Sequence, residues 1–253
     1  MATTSTVNAE SRRERLLAIL EADGIIRLEE AAEGLGVSAM TVRRDLADLE
    51  SDGQLRRVRG GAVPSLRPRS FLERMSTGAA AKLVIAEKAL ALVPEVGAAA
   101  FDASSTVGTL LSRLDGASDL TLATNSWENF QVARHQPGIS ALLVGGEAEE
   151  RTDSFVGLLA CQAASSLHYA KFFTSSAAAD SARGTSEVTL AETQVKLAFA
   201  EASDETVLLL DSSKLGQRAL ARSLDWDRID ALVTELDPGD ERLDPYRDLT
   251  DVI

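Results

Sequence analysis

The sequence predicts an α/β protein in which an N-terminal winged helix-turn-helix precedes a mostly parallel sheet covered by helices. Three observations support this fold class. The first 63 residues hold three helix-periodic segments and a short basic hairpin. Strand and helix patterns then alternate to about residue 235, as they do in parallel α/β proteins. Arginine is concentrated near the N terminus, whereas the rest of the chain is acidic.

The first two predicted helices lie before residue 36. Asn8 is a candidate N-cap for a helix that runs to about residue 22 and is ended by Gly24. A second, shorter helix is predicted over 28–35. The buried face of the first helix is supplied by Leu16, Leu17, Ile19 and Leu20.

The third predicted helix carries the basic residues. Ser38 follows a Gly36-Val37 turn and caps a helix over 39–51, which Gly53 ends. At 100° per residue, its core-facing residues are Val42, Leu46 and Leu49. The opposite face holds Met40, Thr41, Arg43, Arg44 and Ala47. An exposed arginine pair is often only a charged helix face, but its position just after the turn favours contact with DNA.

A short basic hairpin follows the third helix. Residues 55–59 form an arginine-rich strand, and Gly60-Gly61 turns it into Ala62-Val63. Three helices and a basic hairpin form a winged helix-turn-helix, whose last helix reads the major groove. The predicted DNA-contacting residues are Ser38, Met40, Thr41, Arg43, Arg44, Arg57 and Arg59.

The charge distribution supports this interpretation. Residues 1–70 contain 11 Arg and 11 acidic residues, so that the whole net charge of −13 falls on residues 71–253. Seven arginines lie between residues 43 and 69, against four acids. The chain therefore combines a local anion-facing patch with an acidic body that repels nucleic acid.

We predict four segments along the chain: a helix-turn-helix domain over 8–63, a linker over 64–75, an α/β domain over 76–235 and a polar C-terminal segment over 236–253. Within the α/β domain, strands are predicted over 97–101, 120–123, 139–144, 170–174, 206–210 and 231–233. Helices are predicted over 80–92, 106–114, 127–134, 156–166 and 189–202.

Polar and glycine residues follow the ends of four of these strands. Ligands of open parallel sheets bind beyond the carboxyl ends of the strands, so we expect a binding site there. Its predicted residues are Asp102, Ser104, Ser105, Thr106, Thr124, Asn125, Ser126, Gly145, Gly146, Asp211 and Lys214. Residues 104–106 also begin a helix, whose free N–H groups suit a phosphate. Lys214 adds a cation, and Asp102 is expected to accept from sugar hydroxyls.

Each of these residues also has a plain structural interpretation. Ser104 or Ser105, and the Asn125-Ser126 pair, can be ordinary helix caps. Gly145-Gly146 can be a turn after a strand, and residues 211–214 can be a solvated loop. Their convergence from separate strands favours a site.

Composition limits the other classes of protein. No apolar run approaches the ~18 residues that a membrane span needs, and the polar N terminus does not resemble a secretory peptide. One cysteine, Cys161, excludes an internal disulfide, and with two histidines it makes a metal cluster implausible. We expect a cytoplasmic protein without a metal or cofactor.

The segment SAMTVRRDLADLESDGQLRRVRGGAV resembles the N-terminal signature of the DeoR family of bacterial transcriptional regulators. The matching residues are Ser38, Thr41, Val42, Arg43, Arg44, Asp45, Leu46, Leu49, Gly53, Leu55, Arg57, Val58, Gly60, Gly61 and Ala62. The family's wing usually has histidine before Gly-Gly. Arg59 stands there in this chain and adds charge.

The rest of the chain, to about residue 235, is similar to the family's sensor domain. The matches are Phe71, Arg74, Lys82, Ile85, Ala86, Asp102, Thr106, Thr124, Asn125, Ser126, Gly145, Gly146, Ser154, Gly157, Gly184, Thr185, Lys196, Asp211, Ser213 and Lys214. Ser104 takes the place of the family's usual glycine, where a Cβ would hinder a positive φ or a close approach of the backbone to phosphate.

The resemblance implies a sensor fold like that of ribose-5-phosphate isomerases and CoA transferases, phosphorylated sugars or sugar acids as effectors, and oligomeric repressors. We therefore predict an operator-binding repressor of carbohydrate catabolism or transport genes, relieved by a phosphorylated sugar and working as a dimer or tetramer. Two alternatives stay open at this point: a regulator whose second domain serves only assembly, and a sugar-phosphate isomerase-like enzyme.

Overall fold

The computed structural model describes residues 3–51, 54–64, 70–150 and 152–253. The chain divides into two compact units, residues 1–67 and 68–253. Gly53, which we expected to end the third helix, lies outside the described residues, as do residues 65–69 of the predicted linker.

The first unit has the predicted helix order and a three-stranded sheet. Its helices are α1 (Thr3–Asp23), α2 (Leu28–Leu35) and α3 (Ala39–Ser51). Its strands are β1 (Ile26–Arg27), β2 (Leu55–Val58) and β3 (Gly61–Pro64), in the order β1-β3-β2. Helix α1 begins before Asn8, so Asn8 lies inside the helix and does not cap it.

The core of this unit follows the predicted periodicity. Leu16, Leu20, Val42, Leu46 and Leu49 are all buried in one apolar cluster. The two glycines of the wing are each required by the backbone, but for different reasons. Gly60 has a φ of +90°, which favours glycine, whereas a Cβ on Gly61 would lie 1.7 Å from the Ile26 oxygen of the neighbouring strand.

The second unit is built on a seven-stranded, fully parallel sheet. Its strands are β4 (Val96–Phe101), β5 (Asp119–Thr124), β6 (Ile139–Leu143), β9 (Tyr169–Thr174), β12 (Ser203–Leu209), β14 (Ala231–Val233) and β15 (Asp251–Val252). They are arranged in the order β15-β14-β12-β9-β4-β5-β6. The predicted mostly parallel α/β architecture is confirmed.

Helices cover both faces of this sheet. The helices are α4 (Phe71–Ser76), α5 (Ala79–Ala89), α6 (Ser105–Arg113), α7 (Trp127–Ala133), α8 (Gly157–Ala164) and α9 (Leu190–Glu201). Helices α8 and α9 share one apolar cluster, and α5, α6 and α7 contribute to a second one. Each cluster takes alternate residues of the central strands, because side chains of a strand point to opposite faces.

Two small sheets were not predicted. One is a hairpin of β7 (Glu147–Glu149) and β8 (Ser154–Val156); the other joins β10 (Ala178–Asp180), β11 (Gly184–Glu187) and β13 (Ala221–Arg222). Their strands are two to four residues long, which is too short for a periodic pattern to show.

The segment predicted as a linker contains helix α4. Ser70 and Glu73 form a capping box: the Ser70 Oγ accepts from the Glu73 N–H at 3.3 Å, and Glu73 Oε2 accepts from the Ser70 N–H at 3.1 Å. The Ser-x-x-Glu spacing is a local signal for a helix start that the composition of the segment concealed.

The C-terminal segment differs from the polar surface segment that we expected. Leu243 and Tyr246 are buried in the apolar cluster, and the Tyr246 ring lies 5.2 Å from that of Trp226. Strand β15 then adds a parallel edge to β14. Only a few apolar residues anchor this segment, so its polar composition hid them.

Candidate functional site

Helix α3 presents an exposed basic face. Arg43 and Arg44 are exposed, and Met40 beside them is 67% exposed. Among the described residues, neither arginine has a hydrogen bond or an ion pair. Both guanidinium groups are therefore available to an external anion or to a base edge.

The two hydroxyls at the start of α3 have a local role. Ser38 Oγ accepts from the Thr41 N–H at 3.2 Å and lies 2.9 Å from Thr41 Oγ1. Ser38 is thus an N-cap, as the sequence predicted, and Thr41 is held against it. These residues orient the start of α3.

The two arginines predicted to contact DNA from the wing have different surroundings. Arg59 is exposed at the turn before Gly60 and makes no ion pair with a described residue. Arg57 instead binds Glu50. The Arg57 Nε lies 2.6 Å from Glu50 Oε2, and the Arg57 backbone N–H donates to Glu50 Oε1 at 2.8 Å. These hydrogen bonds lower the pKa of the Glu50 carboxyl, so Glu50 stays ionised and neutralises Arg57.

A buried ion pair connects the inner side of α3 to α1. The sequence analysis did not identify this pair. Arg12 on α1 forms two hydrogen bonds with Asp45, at 2.5 and 2.9 Å. Asp45 is buried beside Val42 and Leu49. The position of Asp45 in the apolar stripe of α3 could have revealed this ion pair in the sequence, because a carboxylate at a core-facing position needs a partner.

In the second unit, the end of β4 lies next to that of β9, the central strand of the parallel sheet. Asp102 follows β4 and is fully buried, and its carboxylate accepts from Ser104 N–H at 2.8 Å, Thr174 Oγ1 at 2.6 Å and Ser175 N–H at 3.0 Å. Lys196 Nζ lies 3.0 Å from the same carboxylate. Burial opposes the charged form, but Lys196 and the hydrogen bonds outweigh it and lower the Asp102 pKa.

Lys196 is the charged centre of this region. Its Nζ also lies 2.9 Å from Glu187 Oε1 and donates to the Ser175 oxygen at 2.5 Å. Burial disfavours the ammonium, but the charges of Asp102, Glu187 and Glu192 raise its pKa above the usual value. Burial and the charge of Glu187 raise the pKa of Glu192.

The start of α6 is the candidate phosphate position. Ser104 has φ −79° and ψ 149°, so the side chain that replaces the family's glycine causes no backbone strain. Its Oγ caps the helix by accepting from the Val107 N–H at 3.2 Å. Among the described residues, the N–H groups of Ser105 and Thr106 have no acceptor.

Most polar groups of the residues after β5 are already used in local hydrogen bonds. Thr124 Oγ1 accepts from the Ser126 N–H at 3.2 Å, and Ser126 caps α7. Asn125 Nδ2 donates to the Phe155 oxygen at 3.0 Å, while the buried Asn125 Oδ1 has no hydrogen-bond partner within the described ranges. Asn125 is therefore the member of this group with an open polar atom.

The two outer groups of the predicted site lie far apart in the sheet. A Cβ on Gly146 would lie 2.4 Å from the Val156 oxygen, so Gly146 serves close packing, whereas Gly145 faces open space. Lys214 pairs with Asp211 at 3.2 Å. Strands β6 and β12, which precede these groups, are separated by four strand spacings, or about 19 Å.

A further strand end, that of β9, was missed. Thr174, Ser175 and Ser176 follow it. The Ser175 N–H donates to Asp102 and its carbonyl accepts from Lys196, whereas its buried Oγ has no partner among the residues described. The Thr-Ser-Ser run directly after a predicted strand was the signal for this group. No group of His, Cys, Asp and Glu residues in the described part of the chain is arranged to hold a metal ion.

None of the helices in the described part is both long enough and apolar enough to cross a membrane.

Residues 77–236 match the family description of the DeoR C terminal sensor domain, and residues 12–65 match that of the DeoR-like helix-turn-helix domain. Of the solved structures, ribose 5 phosphate isomerase A from Neisseria gonorrhoeae has a TM-score of 0.38 at 20% identity, covering 53% of this chain and 52% of that one.

Two relatives match along nearly the whole chain. The lactose phosphotransferase system repressor of Streptococcus mutans is 33% identical over 96% of this chain and 98% of its own length. The HTH-type transcriptional regulator GolR of Listeria innocua is 29% identical over 88% of this chain and 89% of its own. These relatives are named for regulating transcription, so the enzyme alternative is set aside. With a matching helix-turn-helix and a matching sensor domain on one polypeptide, this chain belongs to the DeoR family of transcriptional regulators.

Proposed function

We propose that the chain is a cytoplasmic repressor of carbohydrate uptake or utilisation genes, and that a phosphorylated sugar bound at the centre of the parallel sheet relieves repression. Arg43, Arg44 and Met40 on α3 would read the operator, and Arg59 on the wing would contact phosphate. The names of the relatives support a repressor, because one of them is named a lactose phosphotransferase system repressor.

One observation carries the effector part of the proposal: two adjacent N–H groups at the start of α6 lack an acceptor in the part of the chain that the structure describes. Ser104 N–H and Val107 N–H are satisfied by Asp102 and by Ser104 Oγ, so the open donors are those of Ser105 and Thr106. They lie at the positive end of a nine-residue helix, where an anion is stabilised. Both residues are buried, so that an anion bound to them would be largely removed from water.

Two orphaned oxygens provide polar contacts for the rest of the ligand. Ser175 Oγ and Asn125 Oδ1 follow the strands on either side of β4 and have no hydrogen-bond partner among the described residues. They fit the hydroxyl groups of a sugar better than Asp102 does, because the Asp102 carboxylate already accepts from three internal donors and forms an ion pair with Lys196. Lys214 is held by Asp211 and would have to exchange partners to meet the ligand.

A second candidate function is a regulator whose second unit serves only assembly. It is favoured by the ion pairs of Asp102 with Lys196 and of Lys214 with Asp211, which already engage all three charged residues of the predicted site. The two functions differ in whether a sugar phosphate binds at all.

We expect replacement of Ser105 by proline to weaken sugar-phosphate binding by about 10- to 150-fold, the worth of one hydrogen bond to a charged group. Proline removes only the N–H at the first helical position, where its φ is suitable, and the extended Ser104 before it tolerates proline. Ser105→Ala is the matched control, since it keeps the N–H and removes the hydroxyl.

Binding is measured by calorimetry over a panel of sugar phosphates, and by the fluorescence of Trp127. Trp127 begins α7 directly after Ser126 and is 47% exposed, whereas Trp226, the other tryptophan, is buried. Equal affinity in both variants would place the phosphate elsewhere. No binding of any sugar phosphate by the wild-type chain would favour the assembly function.

A further inference from the structure

Met40 is an apolar side chain on the basic face of α3. It is 67% exposed, whereas the other large apolar residues of the helix, Val42, Leu46 and Leu49, are buried. Of the side chains that the structure describes in the first unit, it is the one large apolar side chain that is exposed. A single exposed methionine is ordinary on a protein surface, so only its position can point to a role.

Met40 stands where a recognition helix reaches the bases of DNA. It is the second residue of α3, and the helix start around it is fixed by the Ser38 cap, whose Oγ accepts from the Thr41 N–H at 3.2 Å. Arg43 and Arg44 follow Met40 by three and four residues, so the three side chains are neighbours on the helix surface. The N-terminal residues of a recognition helix are those that contact base edges in the major groove.

The acidic residues of α3 do not oppose this contact. Each of them is paired with an arginine of α1 or β2: Asp45 with Arg12, Asp48 with Arg13 and Glu50 with Arg57. Arg43 and Arg44 form no such pair among the described residues. The surface around Met40 is therefore basic and suited to the groove of a nucleic acid.

We propose that Met40 packs against the C5-methyl group of a thymine in the operator, an inference that rests on the proposed reading of the operator by α3. Thymine is the base with an apolar group on its major-groove edge, and the other bases present hydrogen-bond donors and acceptors there. Met40 has no hydrogen-bond donor and only a weak acceptor, so its side chain gains little from those groups. Packed against a methyl group, it removes apolar surface from water.

The position of this thymine relative to the arginine contacts follows from helix geometry. Three to four residues of α-helix rise by about 4.5–6 Å, which is less than two base-pair steps of about 3.4 Å. The thymine therefore lies within about two base pairs of a base that Arg43 or Arg44 reads.

The test removes the methyl group from the DNA. The full-length chain selects an operator from a random pool, and each thymine of that sequence is then replaced singly by deoxyuridine, which keeps the base pair and lacks only the C5 methyl. The wild type should lose about 4-fold in affinity at such a thymine, the worth of one buried methyl group. Met40→Ala should bind the unmodified operator about 10-fold more weakly, and deoxyuridine at the same position should then cost it nothing. Fluorescence anisotropy titrations measure all four affinities.

Two further variants serve as controls. Met40→Leu keeps an apolar side chain of similar volume and should retain the sensitivity to the methyl group. Arg59→Ala should bind all DNA more weakly but keep the full effect of deoxyuridine, because Arg59 lies on the wing and not on α3. Thermal unfolding checks the fold, which alanine at an exposed helical position should preserve.

The possible results separate this inference from the function on which it rests. Equal deoxyuridine effects in the wild type and in Met40→Ala, or no effect at any thymine, would overturn the role of Met40 and leave operator reading by α3 intact. A pool in which the wild type enriches no sequence would overturn the proposed operator reading, and the role of Met40 with it.

Discussion

Replacing Lys196 by methionine should lower the free energy of unfolding of the second unit by about 3–5 kcal/mol at neutral pH. Methionine fills a similar volume, but it leaves Asp102 and Glu187 as buried carboxylates without their shared cation. Both tryptophans lie in this unit, so denaturant unfolding followed by tryptophan fluorescence reports on it directly.

Lys171→Met is the control for the loss of a lysine as such. Lys171 pairs with Glu205 at 3.0 Å between neighbouring strands, and Glu205 is half exposed. Such a pair contributes at most about 1 kcal/mol. Equal losses of stability in the two variants would show that Lys196 has no special place in the fold.

The loss in Lys196→Met should also shrink as the pH falls. In the wild type the folded pKa of Asp102 is lowered, so its contribution is present above its unfolded value of about 3.9 and is lost as the pH drops through the folded value. In the variant, burial without Lys196 raises the pKa of Asp102, and the cost of its charge disappears on protonation. Burial and the charge of Glu187 already raise the pKa of Glu192 in the wild type. Unfolding curves at pH 7 and near pH 4.5 compare the two proteins, and a constant difference would contradict this account.

Arg44→Ala should reduce affinity for a specific operator by about 5- to 150-fold, while binding to random DNA changes far less. A bidentate arginine contact to a base edge contributes about 1–3 kcal/mol of discrimination. Arg44 is exposed on α3 and makes no ion pair within the described part of the chain, so its removal leaves the fold of the unit intact. The probe is an oligonucleotide selected from a random pool by the wild-type protein.

The two wing arginines provide the internal comparison. Arg59→Ala should weaken binding to all sequences alike and reduce the slope of log K against log salt by about 0.9, the value for one phosphate contact. Arg57→Ala should do less, because Glu50 already holds its guanidinium. Electrophoretic or fluorescence titrations at several salt concentrations measure both effects. Equal losses on selected and random DNA in Arg44→Ala would remove Arg44 from base recognition.

The sequence by itself determined the main architecture, because the helix-turn-helix and the longer strands and helices of the parallel sheet each have a local signature. Three helical stripes, the Ser38 cap and the Gly60-Gly61 turn predicted the helix-turn-helix and its wing. The alternation of strands and helices predicted the parallel sheet, and the longer strands begin and end within a few residues of the predicted positions. The exposure of Arg43 and Arg44 followed from helical periodicity alone.

The short elements and the C-terminal segment were decided by tertiary contacts. Strands β10, β11 and β13 are too short to have a periodic pattern, and they exist because each pairs with another. Tyr246 is buried because Trp226 and the Ala179 oxygen lie beside it, and nothing in the polar sequence around it indicates those neighbours.

The inner arrangement of the candidate site was also decided only by the tertiary structure. Asp102 is separated by more than 70 residues from Thr174 and Ser175, and Lys196 lies still further along the chain. Periodicity reports which side of an element a residue occupies, but it does not report which distant side chain lies opposite. The pairing of Asp102 with Lys196, of Lys214 with Asp211 and of Arg57 with Glu50 therefore became visible only in the folded chain. The physical reason is that a charge in a folded protein takes its partner from three-dimensional proximity, which the parallel order of the strands sets and the local sequence does not.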